Sequence, residues 1–131
     1  MAGDRHLAVI DMQQVFAEPS SPWATPRFAE IVGRVWDLVV GLQPDVTFTR
    51  FVAPPLPAGA WNAYYARWPF ALVRPDDAIY RVVAPFVVGR TLDAPTFSKW
   101  GPELAARVGD GTLVLAGVST DCCVLSTAVA A

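Results

Sequence analysis

Charge is scarce in this chain, and cations other than arginine are scarcer still. Asp, Glu, Lys and Arg make up 17% of the 131 residues, and the formal net charge is −2. Of the ten basic residues only Lys99 is a lysine. The arginines stand singly, without a stripe or cluster, which argues against a nucleic-acid surface. No apolar run approaches ~18 residues, so no membrane-spanning helix is expected. Cysteine is confined to the adjacent Cys122 and Cys123. Neighbouring cysteines cannot build a disulfide framework, and a reducing cytoplasm is the natural setting. The apolar run at the start, Leu7 to Met12, is short and holds Asp11, unlike a secretory leader. Internal repeats and low-complexity segments are also missing.

What is present is apolar: hydrophobic residues make up 53% of the chain. That content at this length predicts one globular domain over residues 1–131 with a real core. LAVIDM (7–12) reads as a strand buried on both faces, in the continuous style of parallel sheets. Thr25-Pro26 is a helix start, and Phe28, Ile31, Val32, Val35, Leu38, Val39 and Leu42 keep helical spacing after it. DVTFTRFV (45–52) is a second strand. Residues 53–77, rich in proline and aromatics, predict a long excursion with a short helix near Trp61 to Trp68. Residues 78–90 are ambiguous, with strand propensity interrupted by Pro85. Phe97 to Val108 opens as a turn and becomes a helix. Leu113 to Val118 is the last strand, followed by the turn Ser119-Thr120-Asp121 and a helix carrying both cysteines.

This alternation gives an α/β fold class, an open and mostly parallel sheet flanked by helices. Such sheets bind ligands outside the carboxyl ends of their strands. Asp11 and Cys123 are thereby expected on one edge. A thiol delivered by a buried strand to a helix N-terminus is favoured as thiolate by backbone N–H groups and the helix dipole. Consecutive helix residues point about 100 degrees apart, so only one of Cys122 and Cys123 faces the cleft, and spacing does not choose between them. Asp11 reads either as a turn cap or as a general base with a raised pKa. Lys99 reads either as a solvated surface lysine or as a cation that holds the carboxylate and lowers a thiol pKa. Phe16, Trp23, Trp61, Tyr64, Trp68 and Trp100 are candidates for a pocket that suits a small apolar or aromatic amide. Arg50, after the second strand, is a candidate for recognising a carboxylate.

Two end motifs, LAVIDMQQVF and AGVSTDCCVLSTAVAA, resemble those of the isochorismatase-like cysteine hydrolases, which include nicotinamidases and N-carbamoylsarcosine amidases. The similarity runs from Leu7 to Ala131 and is loose between Ala53 and Val88. It implies a three-layer fold and an Asp–Lys–Cys triad of Asp11, Lys99 and Cys123, with Cys123 rather than Cys122 as nucleophile. It implies cleavage of a C–N bond in an amide-type substrate through a thioester. It further implies a cis Val118–Ser119 peptide and an oxyanion hole from the N–H groups of Ser119 and Cys123. The substrate pocket would take in Phe16, Trp23, Ala94 and Trp100. Strict alignment puts Ala94 at the family lysine position, and Lys99, within Phe97-Ser98-Lys99-Trp100, is expected to replace it. Metal-binding members use an aspartate and several histidines after the second strand. The one histidine here, His6, precedes the first strand, so no metal or cofactor is expected. A small-molecule substrate and a homo-oligomer are the expected partners. The family continues past the cysteine helix with a further strand and helix, whereas this sequence stops inside that helix. Two alternatives stand: a catalytically impaired binding or assembly module, and vinyl-ether hydrolysis with Asp11 as proton donor.

Overall fold

The computed structural model describes residues 4–131. Residues 1–3, where the stretch read for a leader begins, lie outside the described residues. Strand β1 (Arg5–Ile10) is buried at every residue from His6 onward. Such unbroken burial belongs to a central strand of a parallel sheet covered on both faces. The sheet has the order β3-β2-β1-β4, with β2 Val46–Phe51, β3 Leu92–Ala94 and β4 Thr112–Gly117. All pairings are parallel. β1 runs in register with β4 from Arg5–Thr112 to Ile10–Gly117. Gly117 has φ 122°, and a Cβ there would stand 2.1 Å from the Ile10 carbonyl oxygen. Only glycine permits this close approach of the two strand ends.

Helices cover the two faces. Besides the one-turn α1 (Gln14–Ala17), the long α2 (Phe28–Leu42) buries Phe28, Val35 and Val39 against Leu7 and Val9. Short α4 (Pro102–Val108) packs Leu104 and Val108 against Ala8 and Ile10, together with Cys123. Alternate β1 side chains thus supply the two cores, as a period of two requires. The excursion after β2 holds α3 (Trp61–Arg67) and a third cluster of Val15, Phe51, Ala53, Tyr65, Ala71 and Tyr80. The chain closes with a wide π turn, Thr120–Val124, leading into α5 (Leu125–Ala130). Among the described residues, no helix is long and apolar enough to cross a membrane.

One local expectation needs correction, one ambiguous segment resolves and one strand is added. α2 starts at Phe28 rather than at Pro26, after Arg27 in a left-handed conformation at φ 65°. The Thr25 hydroxyl is taken by Ser119 Oγ at 3.3 Å instead of capping the helix. Residues 78–90 form no strand; they hold a single helical turn, Ala78–Tyr80, and one antiparallel bridge between Val82 and Gln13. β3 went unread because it is three residues long and half-exposed, too short for alternation to register.

Candidate active site

At the carboxyl end of β1 the backbone turns sharply: Asp11 has φ 52°, a left-handed conformation that aspartate tolerates better than most residues. Its side chain is wholly buried. Thr49, one residue past the Val9–Phe48 pair on β2, donates its hydroxyl to Asp11 Oδ1 at 2.8 Å. Lys99 enters from the loop after β3, and its Nζ stands 3.1 Å from Asp11 Oδ2. Both side chains of this ion pair are 0% exposed. The ammonium also donates to the carbonyls of Thr96 (2.6 Å) and Phe97 (3.0 Å), so a charge buried this deeply is fully partnered. Nearby, Phe51 presents its ring 5.5 Å from Nζ.

Cys123 sits in the π turn that follows β4, 4% exposed and against the Asp11 carboxyl. Burial pushes its thiol up to about 12, and the charge of Asp11 adds to that. Lys99 and a backbone hydrogen bond from Ser119 pull it the other way. Burial likewise raises the Asp11 carboxyl, against the lowering influences of Lys99 and Thr49. The thiolate expected from a helix N-terminus meets two opposing influences here. The thiol is desolvated and faces a carboxylate, and both effects oppose ionisation. Thr127 ties the parts together: its hydroxyl donates to the Cys123 carbonyl at 2.7 Å and accepts from the Lys99 backbone N–H at 2.9 Å. The Val118–Ser119 peptide is cis.

In front of the cysteine lies a cavity of about 790 Å³, lined by Phe16, Trp23, Phe51, Tyr64 and Phe97, with Ser119 and Cys123 on the chemical side. Trp23 is its hub, in ring contact with Phe16, Phe51, Tyr64, Trp68 and Phe70. A buried amide braces the floor: Gln13 donates to the carbonyls of Phe51 and Tyr80 and accepts from the Phe51 N–H.

A family model for the isochorismatase domain matches residues 6–131. The chain belongs to the isochorismatase family. Among solved structures, a cysteine hydrolase from Pseudomonas syringae pv. phaseolicola is 24% identical, with a TM-score of 0.79. The match covers 97% of this chain and 65% of that one. N-Carbamoylsarcosine amidase from Thermoplasma acidophilum is 20% identical, with a TM-score of 0.73 over 97% of this chain and 75% of that one. The yeast nicotinamidase is 16% identical, with a TM-score of 0.71 over 96% and 80% of the two chains. Among curated proteins none matched the sequence. At these identities the likeness establishes the isochorismatase fold, here spanning about two thirds to four fifths of the three solved chains.

Of the residues singled out from sequence, Asp11, Lys99 and Cys123 come together, and Phe16, Trp23, Tyr64 and Ser119 line the same cavity. Ala94 and Trp100 do not. They line a separate depression beside β3, together with Arg90 and Glu103. Ala94 is paired with Phe51 at the sheet edge, and Trp100 packs in the core beneath α4. The five residues after Ala94 carry Lys99 back over the strand ends, so the lysine and not the alanine reaches Asp11. Trp61 and Trp68 stand behind the lining, Trp61 against Tyr64, Tyr65 and Phe97, and Trp68 against Trp23 and Phe70. Arg50 makes a bidentate pair with Asp93 at 2.9 and 2.7 Å and so braces β2 to β3, rather than recognising a substrate carboxylate. His6 donates to or accepts from Thr47 at 2.7 Å, at the amino half of β1 rather than the edge that carries Asp11. No group of three or more His, Cys, Asp or Glu among the described residues is arranged to hold a metal ion.

Thr49, Gln13 and Thr127 escaped the sequence reading. The signal for Thr49 was available: in VTFTRF the two threonines share a strand face, and the second sits level with the end of β1.

Proposed function

We propose that this isochorismatase-family chain is a cysteine hydrolase that cleaves the C–N bond of a small amide through a thioester. The observation that carries this reading is the fully buried Lys99–Asp11 pair set against Cys123 at the end of an aromatic cavity. Burial and the Asp11 charge favour the neutral thiol, so its proton leaves as the sulfur attacks. Asp11 takes that proton while Sγ bonds to the carbonyl carbon. The oxyanion is received by the N–H groups of Ser119 and Cys123. When the C–N bond breaks, the Asp11 carboxyl returns the proton to the departing nitrogen, which leaves as ammonia or an amine. Asp11 then takes a proton from water, whose hydroxide adds to the thioester; collapse releases the acid, and the proton restores the thiol. Lys99 keeps Asp11 ionised and aimed through this cycle, and Thr49 fixes the carboxylate from the other side. A reducing cytoplasm, a small-molecule substrate and a homo-oligomer belong to the same reading; both cysteines are free thiols, and Trp36, Val40 and Val87 are exposed apolar residues available for subunit contact.

The test is capture of the intermediate. With a slow aromatic amide or ester, mass spectrometry of the quenched protein should find the acyl group on Cys123, and Cys123→Ala should abolish turnover while Cys122→Ala retains it. Acyl groups on Cys122, or undiminished turnover by Cys123→Ala, would overturn the reading. One observation favours a second chemistry. Burial raises the Asp11 carboxyl, which suits a proton donor for vinyl-ether hydrolysis. That reaction would survive Cys123→Ala but not Asp11→Asn.

A further inference from the structure

The chemistry proposed above leaves the charge of the cavity wall unexplained, and that charge is of one sign only. Phe16, Trp23, Phe51, Tyr64 and Phe97 supply rings, and Asp121 is the sole charged residue of the lining. Asp121 is exposed and has no ion-pair partner among the described residues. No arginine lines the cavity. The nearest in sequence to the lining, Arg27, is bound to Glu30 at 2.7 Å. Lys99 cannot offset Asp121 either, because its ammonium is buried and committed to Asp11 and two carbonyls. A substrate therefore meets a neutral ion pair beside the cysteine and, on the cavity wall, negative charge from a carboxylate and ring faces that no side-chain cation offsets.

Resting on the hydrolase reading above, we propose that the cavity selects amides that carry a positively charged group in addition to the scissile bond. Asp121 is the specificity-determining carboxylate, and the aromatic lining is the surface on which the cation lies. Ring faces attract cations and repel anions, most strongly where water is thinned. Asp121 adds a Coulombic attraction moderated by its exposure. The substrate class is a compact aromatic or apolar carboxamide bearing an amine that is protonated at neutral pH. Substrates with a carboxylate in place of that amine are disfavoured on both counts.

The experiment uses three matched benzamides with para aminomethyl, methyl or carboxylate groups. Turnover is measured with the unaltered chain, and binding with the Cys123→Ala variant by tryptophan fluorescence. The cation should exceed the methyl compound, and the methyl compound the anion, by roughly tenfold at each step. Asp121→Asn should collapse the cation-to-neutral ratio to roughly twofold, Asp121→Glu should restore it, and added salt should compress it. An anion that binds or reacts as well as the cation overturns the proposal, as does a ratio unmoved in Asp121→Asn. Turnover without charge ranking sinks the selection and leaves the hydrolase reading. Charge-ranked binding without turnover sinks the hydrolase reading and leaves the selection. Failure of all three compounds to bind sinks both.

Discussion

Lys99 Nζ and Asp11 Oδ2 stand 3.1 Å apart with both side chains sealed from solvent, although they lie 88 positions apart in the chain. Neither charge is tolerable there alone, since an isolated buried ion loses its hydration without return. The pair is held from three sides: Thr49 on β2 fixes the carboxylate, the Thr96 and Phe97 carbonyls fix the ammonium, and Thr127 fixes the lysine backbone.

Replacing Lys99 by methionine keeps much of the volume and removes the cation. Asp11 then lacks its main lowering influence, so its carboxyl rises further and the residue is driven toward the neutral acid. The loss of stability should be about 3–5 kcal/mol where Asp11 would be ionised. The sign follows from linkage: a carboxyl raised in the folded state binds protons that the unfolded chain has released, so stability is gained as pH falls through its folded pKa. Denaturant midpoints of Lys99→Met should lie closer to those of the unaltered chain at pH 5 than at pH 8. The acid limb of kcat/KM should move to higher pH in the variant, because Asp11 must be deprotonated to accept the thiol proton. An unmoved acid limb would contradict this role for Lys99.

Much of this architecture is legible in the sequence. LAVIDM announces a strand buried on both faces, the Phe28 to Leu42 spacing announces α2, and the parallel βα alternation puts Asp11 and Cys123 on one edge. What stayed hidden depends on register and on long-range neighbours. Thr49 is an ordinary strand residue until β2 is set against β1, and Gln13 looks like a loop polar group until the Phe51 and Tyr80 backbones surround it. The same cause misplaced Ala94 and Trp100: neither alignment with a motif nor closeness to Lys99 in sequence carries across a sheet edge, where one short segment faces the core, the site and an outer depression in turn. The thiol was misjudged for a different reason. A strand–turn–helix motif carries the dipole argument, but desolvation is a property of the packed state, and here it heads the influences that raise the thiol.

The Cys123 thiol gives a pH-dependent stability that can be isolated. An ordinary thiol titrates near 9.0, whereas burial raises this one to about 12. Between those values the unfolded chain loses a proton that the folded chain keeps, so folding stability falls as pH rises. The full difference is about 4 kcal/mol, and about 2 kcal/mol of it is lost by pH 10.5. Below pH 9 the contribution is fully present. Comparing denaturant midpoints of the unaltered chain and Cys123→Ala at pH 8 and pH 10.5 cancels the tyrosines and every other shared group. The unaltered chain should lose more stability than the variant over that interval. Parallel losses would mean that the thiol is not desolvated.

Gly117 offers a test of the fold that involves no chemistry. Its φ of 122° and the 2.1 Å approach that a Cβ would make to the Ile10 carbonyl leave no room for a side chain. The obstacle is backbone in the central strand, which cannot swing aside as a flexible side chain would. Gly117→Ala should cost about 3 kcal/mol or more through combined strain and overpacking, read as a lowered denaturant midpoint. Gly33, with nothing within 4 Å of the equivalent Cβ and a mid-helix position in α2, should gain roughly 0.5–1 kcal/mol on the same change. The opposite signs of two Gly→Ala substitutions separate the local geometry from any general effect of added methyl groups.

Thr127 is the least conspicuous residue of the site and the one whose replacement distinguishes support from chemistry. It is 0% exposed, and its hydroxyl bridges the Cys123 carbonyl and the Lys99 backbone N–H, the two chain segments that meet at Asp11. Thr127→Val keeps the shape and deletes both bonds, leaving a buried N–H unpaired and a carbonyl short of a partner. The expected destabilisation is about 1–3 kcal/mol. Thr127→Ser retains the hydroxyl and removes one methyl, so it should recover the hydrogen bonds at the smaller cost of about 1 kcal/mol for the lost packing. If the bridge holds Lys99 and Cys123 in register with Asp11, kcat should fall in Thr127→Val well below room-temperature unfolding losses and return in Thr127→Ser, while KM stays close to its original value because Thr127 does not line the cavity. A valine variant that is destabilised yet turns over at the original rate would confine Thr127 to the fold and leave the alignment of the site to Thr49 and the Thr96 and Phe97 carbonyls.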